Sequence, residues 1–213
     1  MQINQTNPII ENIRRALGRK AGDPAPERPA ILPPRLASQV EAEIDQLLKE
    51  INALAGVASR ASAEEVASLL QSLVEEQAVQ KATLWPTPGL KELQIAEQLG
   101  ALGVEIVSPY ADKRVLAECD LGVTEVDFAL PETGTIGLLS GHKKPRSVSL
   151  LPRVHLAILR PAALCADLHQ VFSLAKNQHY LVFITGPSRT ADIELTVTLG
   201  VHGPKAFYLW AFS

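Results

Sequence analysis

The sequence is short of the residues that carry electrons or bind soft metals. Among 213 residues there are two cysteines, Cys119 and Cys165. So few, with no Cys-x-x-Cys pair, make neither a disulfide scaffold nor an iron–sulfur or thiolate zinc site. None of the five histidines stands at His-x-x-x-His or His-Glu-x-x-His spacing, so metal binding has no support and no cofactor is expected. Basic charge is not in surplus either: 20 Lys plus Arg against 23 Asp plus Glu leave a net charge of -3. A binder of nucleic-acid phosphates ordinarily carries a basic stripe, so nucleic acid is excluded as a partner. No apolar run approaches the roughly 18 residues of a membrane helix. The start, Met1 to Gln5, shows no basic region followed by an apolar one, and the expected location is the cytoplasm. What is abundant is apolar side chain, 46% of the total, enough for a sizeable core.

Aromatics are missing from the first 84 residues; all of them lie at Trp85 or beyond. The front therefore reads as helical packing material and the back as a site. Residues 8 to 19 form an amphipathic pattern, with Ile9, Ile10, Ile13 and Leu17 on one stripe and Arg14, Arg15 and Arg19 elsewhere. Gly22 to Pro34 holds five prolines in 13 residues and reads as an extended linker. The predicted organisation is an N-terminal helical arm (1–21), a proline-rich linker (22–34) and one α/β domain (35–213).

Within that domain Ser38 with Glu41, and Ser62 with Glu65, have capping-box spacing ahead of apolar periodicity. Helices are expected from Ser38 through Leu54, from Ser62 through Val74, and over Leu90–Leu99. Strands are expected at Lys81–Trp85 and Val104–Val107. This alternation is the signature of a mostly parallel sheet flanked by helices. Further strands are read at Phe128–Leu130, Thr135–Leu139, Val154–Leu159, Leu181–Thr185 and Phe207–Phe212, with one helix over Pro161–Lys176.

Three polar, glycine-bearing segments are candidates for chemistry. In Pro131-Glu132-Thr133-Gly134-Thr135, Glu132 is a possible nucleophile, general base or anchor for a substrate hydroxyl; a hairpin with a solvated Glu132 fits equally. In Gly186-Pro187-Ser188-Arg189-Thr190-Ala191-Asp192, backbone N–H groups with Ser188, Arg189 and Thr190 suit a carboxylate or phosphate; so does a capped turn with Arg189 paired to Asp192 or Glu194. In Gly200-Val201-His202-Gly203-Pro204, His202 is a candidate acid/base or anion ligand on a tight turn. His155 begins a strand and either faces a crevice or caps the sheet. His142 lies in a basic loop, 141–146, while His169, His179 and Cys165 read as structural. Ligand crevices of parallel α/β sheets open at the carboxyl ends of strands, so Glu132, Arg189 and His202 are expected there together.

Gly186 to Glu194 followed by Gly200 to Pro204, with Glu132-Thr133-Gly134-Thr135, Leu150-Leu151-Pro152 before Val154-His155, and Asp120 to Thr124 in the same order, resembles the LUD domain family. The resemblance runs from about residue 119 to the end; before it, only Arg14-Arg15-Ala16-Leu17 matches. Pro131 stands where the family often has alanine, and Glu132 is kept. Size and the lack of cysteine clusters suit the lactate utilization protein C branch. The resemblance implies a fold similar to the sugar-phosphate isomerase and coenzyme A transferase group. It also implies a part in oxidising L-lactate to pyruvate, with iron–sulfur clusters held by sister subunits as partners. The expected function is thus a non-redox subunit binding a small carboxylate, or a partner, at Glu132, Arg189 and His202, with a small anionic metabolite among its expected partners. Two alternatives stand beside it. One is acyl or coenzyme A transfer through Glu132; the other is a module for phosphorylated small molecules, using Ser188, Arg189, Thr190 and the 142–146 loop.

Overall fold

The structure, a computed structural model, describes residues 8–24, 27, 35–176, 178, 180–191 and 197–212. The chain divides into two units, Met1–Pro33 and Pro34–Ser213. In the first, α1 (Pro8–Ala16) has Arg14 and Arg15 in its last turn and no buried residue. It stops short of the expected Arg19 because the chain turns at Gly18, whose φ is 64°. Most of the proline-rich stretch falls outside the described residues.

The second unit is built on a six-stranded sheet. Its members are β1 (Val57–Ala61), β2 (Lys81–Leu84), β3 (Glu105–Val107), β4 (Leu121–Glu125), β7 (Val154–Leu159) and β11 (Ala206–Phe212). The spatial order is β1-β11-β7-β4-β2-β3, and every neighbouring pair is parallel. Strands covered on both faces need continuous apolar sequence, which β7 and β11 supply: all of β7, and all of β11 after Ala206, is buried. Between β4 and β7 the chain inserts β5 (Phe128–Leu130) and β6 (Thr135–Leu139). These join β8 (Leu181–Ile184) in a separate antiparallel sheet ordered β5-β6-β8. A ribbon of β9 (Arg189–Ala191) and β10 (Val197–Leu199) precedes β11.

Register aligns Thr83, Gly122, His155 and Phe207 in one row across the parallel sheet. That face is covered by α7 (Ser147–Leu150), which comes so close that a Cβ on Gly122 would lie 1.9 Å from the Val148 carbonyl oxygen. The opposite face meets α3 (Val66–Gln77), where the Tyr208 hydroxyl donates to Glu76 at 2.9 Å and accepts from Gln77 at 2.8 Å. Also present are α2 (Val40–Ala53), α4 (Pro88–Glu92), α5 (Ile95–Ala101), α6 (Lys113–Ala117) and α8 (Leu168–Ala175).

Local departures from the expected elements have identifiable causes. The Ser62–Glu65 capping box forms, with the Ser62 N–H donating to Glu65 at 2.9 Å. The Ser38–Glu41 one does not: α2 begins at Val40, so Glu43 is the residue that reaches back to the Ser38 N–H, at 2.6 Å. Glu41 pairs instead with Arg60. The helix expected over Leu90–Leu99 is two, α4 and α5, divided at Gln94 with φ 49°. The segment from Pro161 opens only a three-residue 3-10 turn, and α8 starts afresh at the Asp167 cap. Cys165 lies between the two, buried outside any helix.

One ion pair and the main-chain bonds beside it fasten the amino ends of four parallel strands. Asp120 accepts from the Gln80 and Lys81 N–H groups at 2.8 and 3.0 Å and pairs with Arg153 Nε at 2.9 Å. Arg153 Nη2 donates to the Gln77 and Ala78 carbonyls that close α3. The main chain repeats the linkage: Val154 N–H donates to Asp120 and Lys205 N–H to Arg153. Burial pushes the Asp120 carboxyl up, but the Gln80 and Lys81 amides and the Arg153 guanidinium outweigh it and hold it below the ordinary carboxylate range. A depressed folded-state pKa gives stability that is complete above the unfolded value, near 4, and is lost as pH falls through the folded one. Asp120→Ala, which strands two N–H donors and Arg153, should lose about 3 kcal/mol of unfolding free energy in urea titrations at neutral pH, and Asp120→Asn about half that. Gly122→Ala should lose at least as much, because its methyl meets backbone rather than a movable side chain.

Candidate functional site

A cavity of about 330 Å³ opens at the amino edge of the parallel sheet. Its walls come from four places: Ser149 and Leu150 of α7, His155 and Phe207 at the starts of β7 and β11, the segment Val182–Ser188, and the turn His202–Pro204. The volume lies at the lower end of the range for small-molecule sites. Apolar side chains (Leu150, Val182, Ile184, Phe207) alternate with three hydroxyls (Ser149, Thr185, Ser188) and two imidazoles. Among the described lining residues none is Lys, Arg, Asp or Glu.

Two of the three candidate segments therefore meet. The Ser188 N–H donates to Pro204 and the Gly200 N–H to Ser188, both at 2.9 Å. The join is tight, since a Cβ on Gly203 would lie 3.1 Å from that of Ser188. Gly186, at φ 86°, presses on the Leu54 carbonyl at the end of α2, where a Cβ would come within 2.7 Å. Arg189 turns away from the cavity: its Nη2 donates to the Leu54 carbonyl and, at 3.3 Å, to that of Thr185. A guanidinium at a helix C-terminus satisfies an orphan carbonyl and complements the helix dipole. Among the described residues Thr190 donates to the Thr198 carbonyl, at 3.5 Å. Asp192 and Glu194, like His179, lie outside the described residues.

The third segment stands apart. Pro131–Thr133 form a 3-10 turn joining β5 to β6, and Gly134 follows with φ 58°, packed on the backbone of Glu50 and Ile51. The Glu132 carboxylate is 62% exposed and lies 3.5 Å from Arg35 Nε. It does not line the cavity. Arg35 is itself held by Glu43, through bonds of 2.9 and 2.7 Å, and by the Ala166 carbonyl. What connects this turn to the cavity is a relay of hydroxyls: Thr133 to Thr135 at 2.9 Å, then Thr135 to Thr185 on the cavity wall at 2.9 Å.

The expected gathering of Glu132, Arg189 and His202 at the carboxyl edge is thus corrected. His202 lines a cavity at the amino edge, and the other two lie outside it. The reason is topological. His202 and Gly203 precede β11, so they must sit at its amino end, and Gly186–Ser188 leave β8, which belongs to the antiparallel sheet. At the carboxyl ends of β2 and β3 there is a separate cavity of about 410 Å³, lined by Trp85, Leu90, Lys91, Ile106 and Ser108 among others, and no described candidate residue lines it.

His155 carries more of the site than its sequence context suggested. It is 1% exposed, and its Nε2 lies 2.9 Å from Thr124 Oγ1, while Nδ1 has no hydrogen-bond partner among the described residues. The signal was present: one polar residue in Val154-His155-Leu156-Ala157-Ile158-Leu159, an otherwise apolar buried strand, is the kind of exception that asks for a reason. Burial pushes its imidazole down to about 3, so the ring is neutral at neutral pH.

A histidine neutral when folded and protonated when unfolded makes stability rise with pH between its two pKa values. From about 6.5 down to pH 4 the wild-type chain should lose about 3 kcal/mol on this account. Urea titrations across that interval check it: His155→Leu should flatten the slope by about one proton, and an unchanged slope would mean that His155 titrates normally in the folded chain.

A family model described as the LUD domain matches residues 44–209. Lactate utilization protein C of Halalkalibacterium halodurans is 28% identical over 97% of this chain and 97% of its own length. The protein of the same description from Oceanobacillus iheyensis is 28% identical over 96% of each chain. That from Shouchella clausii is 42% identical over a segment covering 42% of this chain and 43% of its own. Among solved structures, a DUF162 family protein from Deinococcus radiodurans superposes with a TM-score of 0.60 at 17% identity, covering 83% of this chain and 100% of that one. Matched over most of its length by the family model, and similar end to end to relatives described as lactate utilization protein C, the chain belongs to the LUD domain family.

Proposed function

We propose that this chain is a non-redox component of a lactate-utilising system and that the cavity at the amino edge of its sheet seats a small carboxylate. The observation that carries the reading is a full-length likeness to proteins described as lactate utilization protein C, in a chain whose two cysteines are both buried and free. Burial raises both thiols above their ordinary range, away from the thiolate that a cluster or metal needs. Electron transfer then belongs to iron–sulfur partner subunits. The cavity supports the small-molecule half of the reading. A short aliphatic acid has its methyl group matched by Val182, Ile184 and Phe207, and its oxygens by Thr185, Ser188 and the imidazoles. A cytoplasmic location is part of the same reading; among the described residues no helix is long and apolar enough to cross a membrane. Acyl transfer through Glu132 draws no support from a carboxylate set against Arg35 and outside the cavity.

Calorimetry and thermal unfolding with L-lactate, pyruvate, a sugar phosphate and coenzyme A test the cavity. Lactate or pyruvate at 100 times its dissociation constant should add about 2.7 kcal/mol of stability. Gly203→Val, which crowds Ser188, should weaken that binding by about tenfold or more. Mixing the chain with its iron–sulfur partners should raise lactate-dependent dye reduction. Absence of both binding and stimulation overturns the reading.

A further inference from the structure

We propose that His155 is a ligand-reading residue: its Nδ1 carries the proton and donates it to an acceptor oxygen, carboxylate or carbonyl, of the molecule in the amino-edge cavity. The inference rests on the reading of that cavity as a carboxylate site, and goes beyond it by naming the group that reads the ligand and the kind of atom it reads.

The ring has little freedom. It occupies the row between Gly122 and Phe207, where glycine offers no side chain on one side and the Phe207 ring packs on the other, centroids 5.5 Å apart. Nε2 is taken by Thr124 Oγ1 at 2.9 Å. Thr124 is fully buried, and His155 is the partner its hydroxyl has among the described residues. Two arrangements of protons fit that contact. If Nε2–H donates, the threonine hydroxyl hydrogen is left buried without an acceptor, and Nδ1 is left bare as well. If the hydroxyl donates to Nε2, threonine is satisfied and a single polar atom remains unpaired, the Nδ1–H. Each arrangement strands one buried donor, but the first leaves the Nδ1 lone pair unpaired as well, so the second, with one unpaired atom in place of two, prevails. The bond made by one ring nitrogen thereby fixes which proton the other holds.

The ring lines the cavity, and Nδ1 is its one unsatisfied polar atom. Nearby Ser149 spends its hydroxyl on the Arg146 carbonyl at 3.1 Å. An oxygen that enters the cavity and accepts from Nδ1 completes the ring's pairing. With no Lys or Arg among those lining residues, recognition falls to neutral donors, whose strength grows as water is displaced from an apolar wall. A ligand that accepts is favoured over one that must donate.

The test uses the full-length chain labelled with 15N-histidine, read by long-range proton–nitrogen correlation, with pyruvate, L-lactate and the neutral acceptor acetamide as probes. The expected result is a His155 spectrum of the Nδ1–H form at neutral pH, with that nitrogen shifted on addition of pyruvate. Thr124→Val should release the tautomer preference. By calorimetry His155→Leu should weaken pyruvate binding about tenfold, and His155→Asn, which keeps an N–H near the same place, by no more than about threefold. An Nε2–H spectrum overturns the inference, as does pyruvate binding that leaves Nδ1 unmoved, or a chain in which no probe moves it. Failure of the underlying reading looks different: acetamide shifts Nδ1 while neither acid binds, and then the donor stands and the carboxylate site falls.

Discussion

The molecule depends on the pairing of Asp120 with Arg153. A parallel sheet gathers strands from distant parts of the chain, and nothing local fixes their relative heights. Here one carboxylate takes two amides from the entry to β2 and one guanidinium from the entry to β7, while that guanidinium also closes the end of α3. Three strands are thereby set level at one edge, and the Lys205 N–H, donating to the Arg153 carbonyl, brings β11 to the same height. The cavity is the space immediately beyond that edge, and His155 on its wall stands two positions past Arg153. Position and chemistry share an origin: the clamp that sets strand height also sets how far His155 lies from the turn at His202.

The charged groups of the domain are spent on architecture. Arg35 gathers Glu43, Glu132 and the Ala166 carbonyl where the chain enters α2, and the buried Glu43 carboxyl lies below its ordinary range because that guanidinium hydrogen-bonds to it. Arg189 closes the other end of α2. Lys144 pairs with Asp127 at 2.5 Å and stands over the Trp85 ring, docking the basic loop. A site left to hydroxyls and imidazoles is the complement of that arrangement. It discriminates by hydrogen-bond direction and shape, with Coulomb attraction at a distance playing the smaller part.

Alternating strands and helices made the parallel sheet legible from sequence, because period and length respond to local packing. The 186–188 and 202–204 segments, expected together at a carboxyl-edge crevice, do meet, but at the amino edge. The placement of Glu132 and Arg189 was not legible. An arginine beside a glycine reads the same whether it faces an anion or a helix terminus, and the Leu54 carbonyl that decides the matter is 135 residues away. The carboxyl-edge rule misled because it assumes that a strand-ending loop belongs to the parallel sheet, whereas β8 joins an inserted antiparallel one. His155 was undervalued for a related reason. Burial and the partnership with Thr124, 31 positions earlier, are properties of register, and register is what a single sequence conceals best.

Gly122 bears on how the family could change its diet. It does not line the cavity, yet its missing side chain lets α7 lie almost on the sheet, the Val148 carbonyl occupying the space a methyl would need. Two cavity-wall residues, Ser149 and Leu150, ride on that helix. The size of the chamber is thus governed from behind, by the spacing of two layers as well as by the residues that face the guest. A lineage that gained a methyl at this position would have to lift the α7 backbone off the sheet, shifting Ser149 and Leu150 and resizing the chamber while leaving its lining chemistry intact.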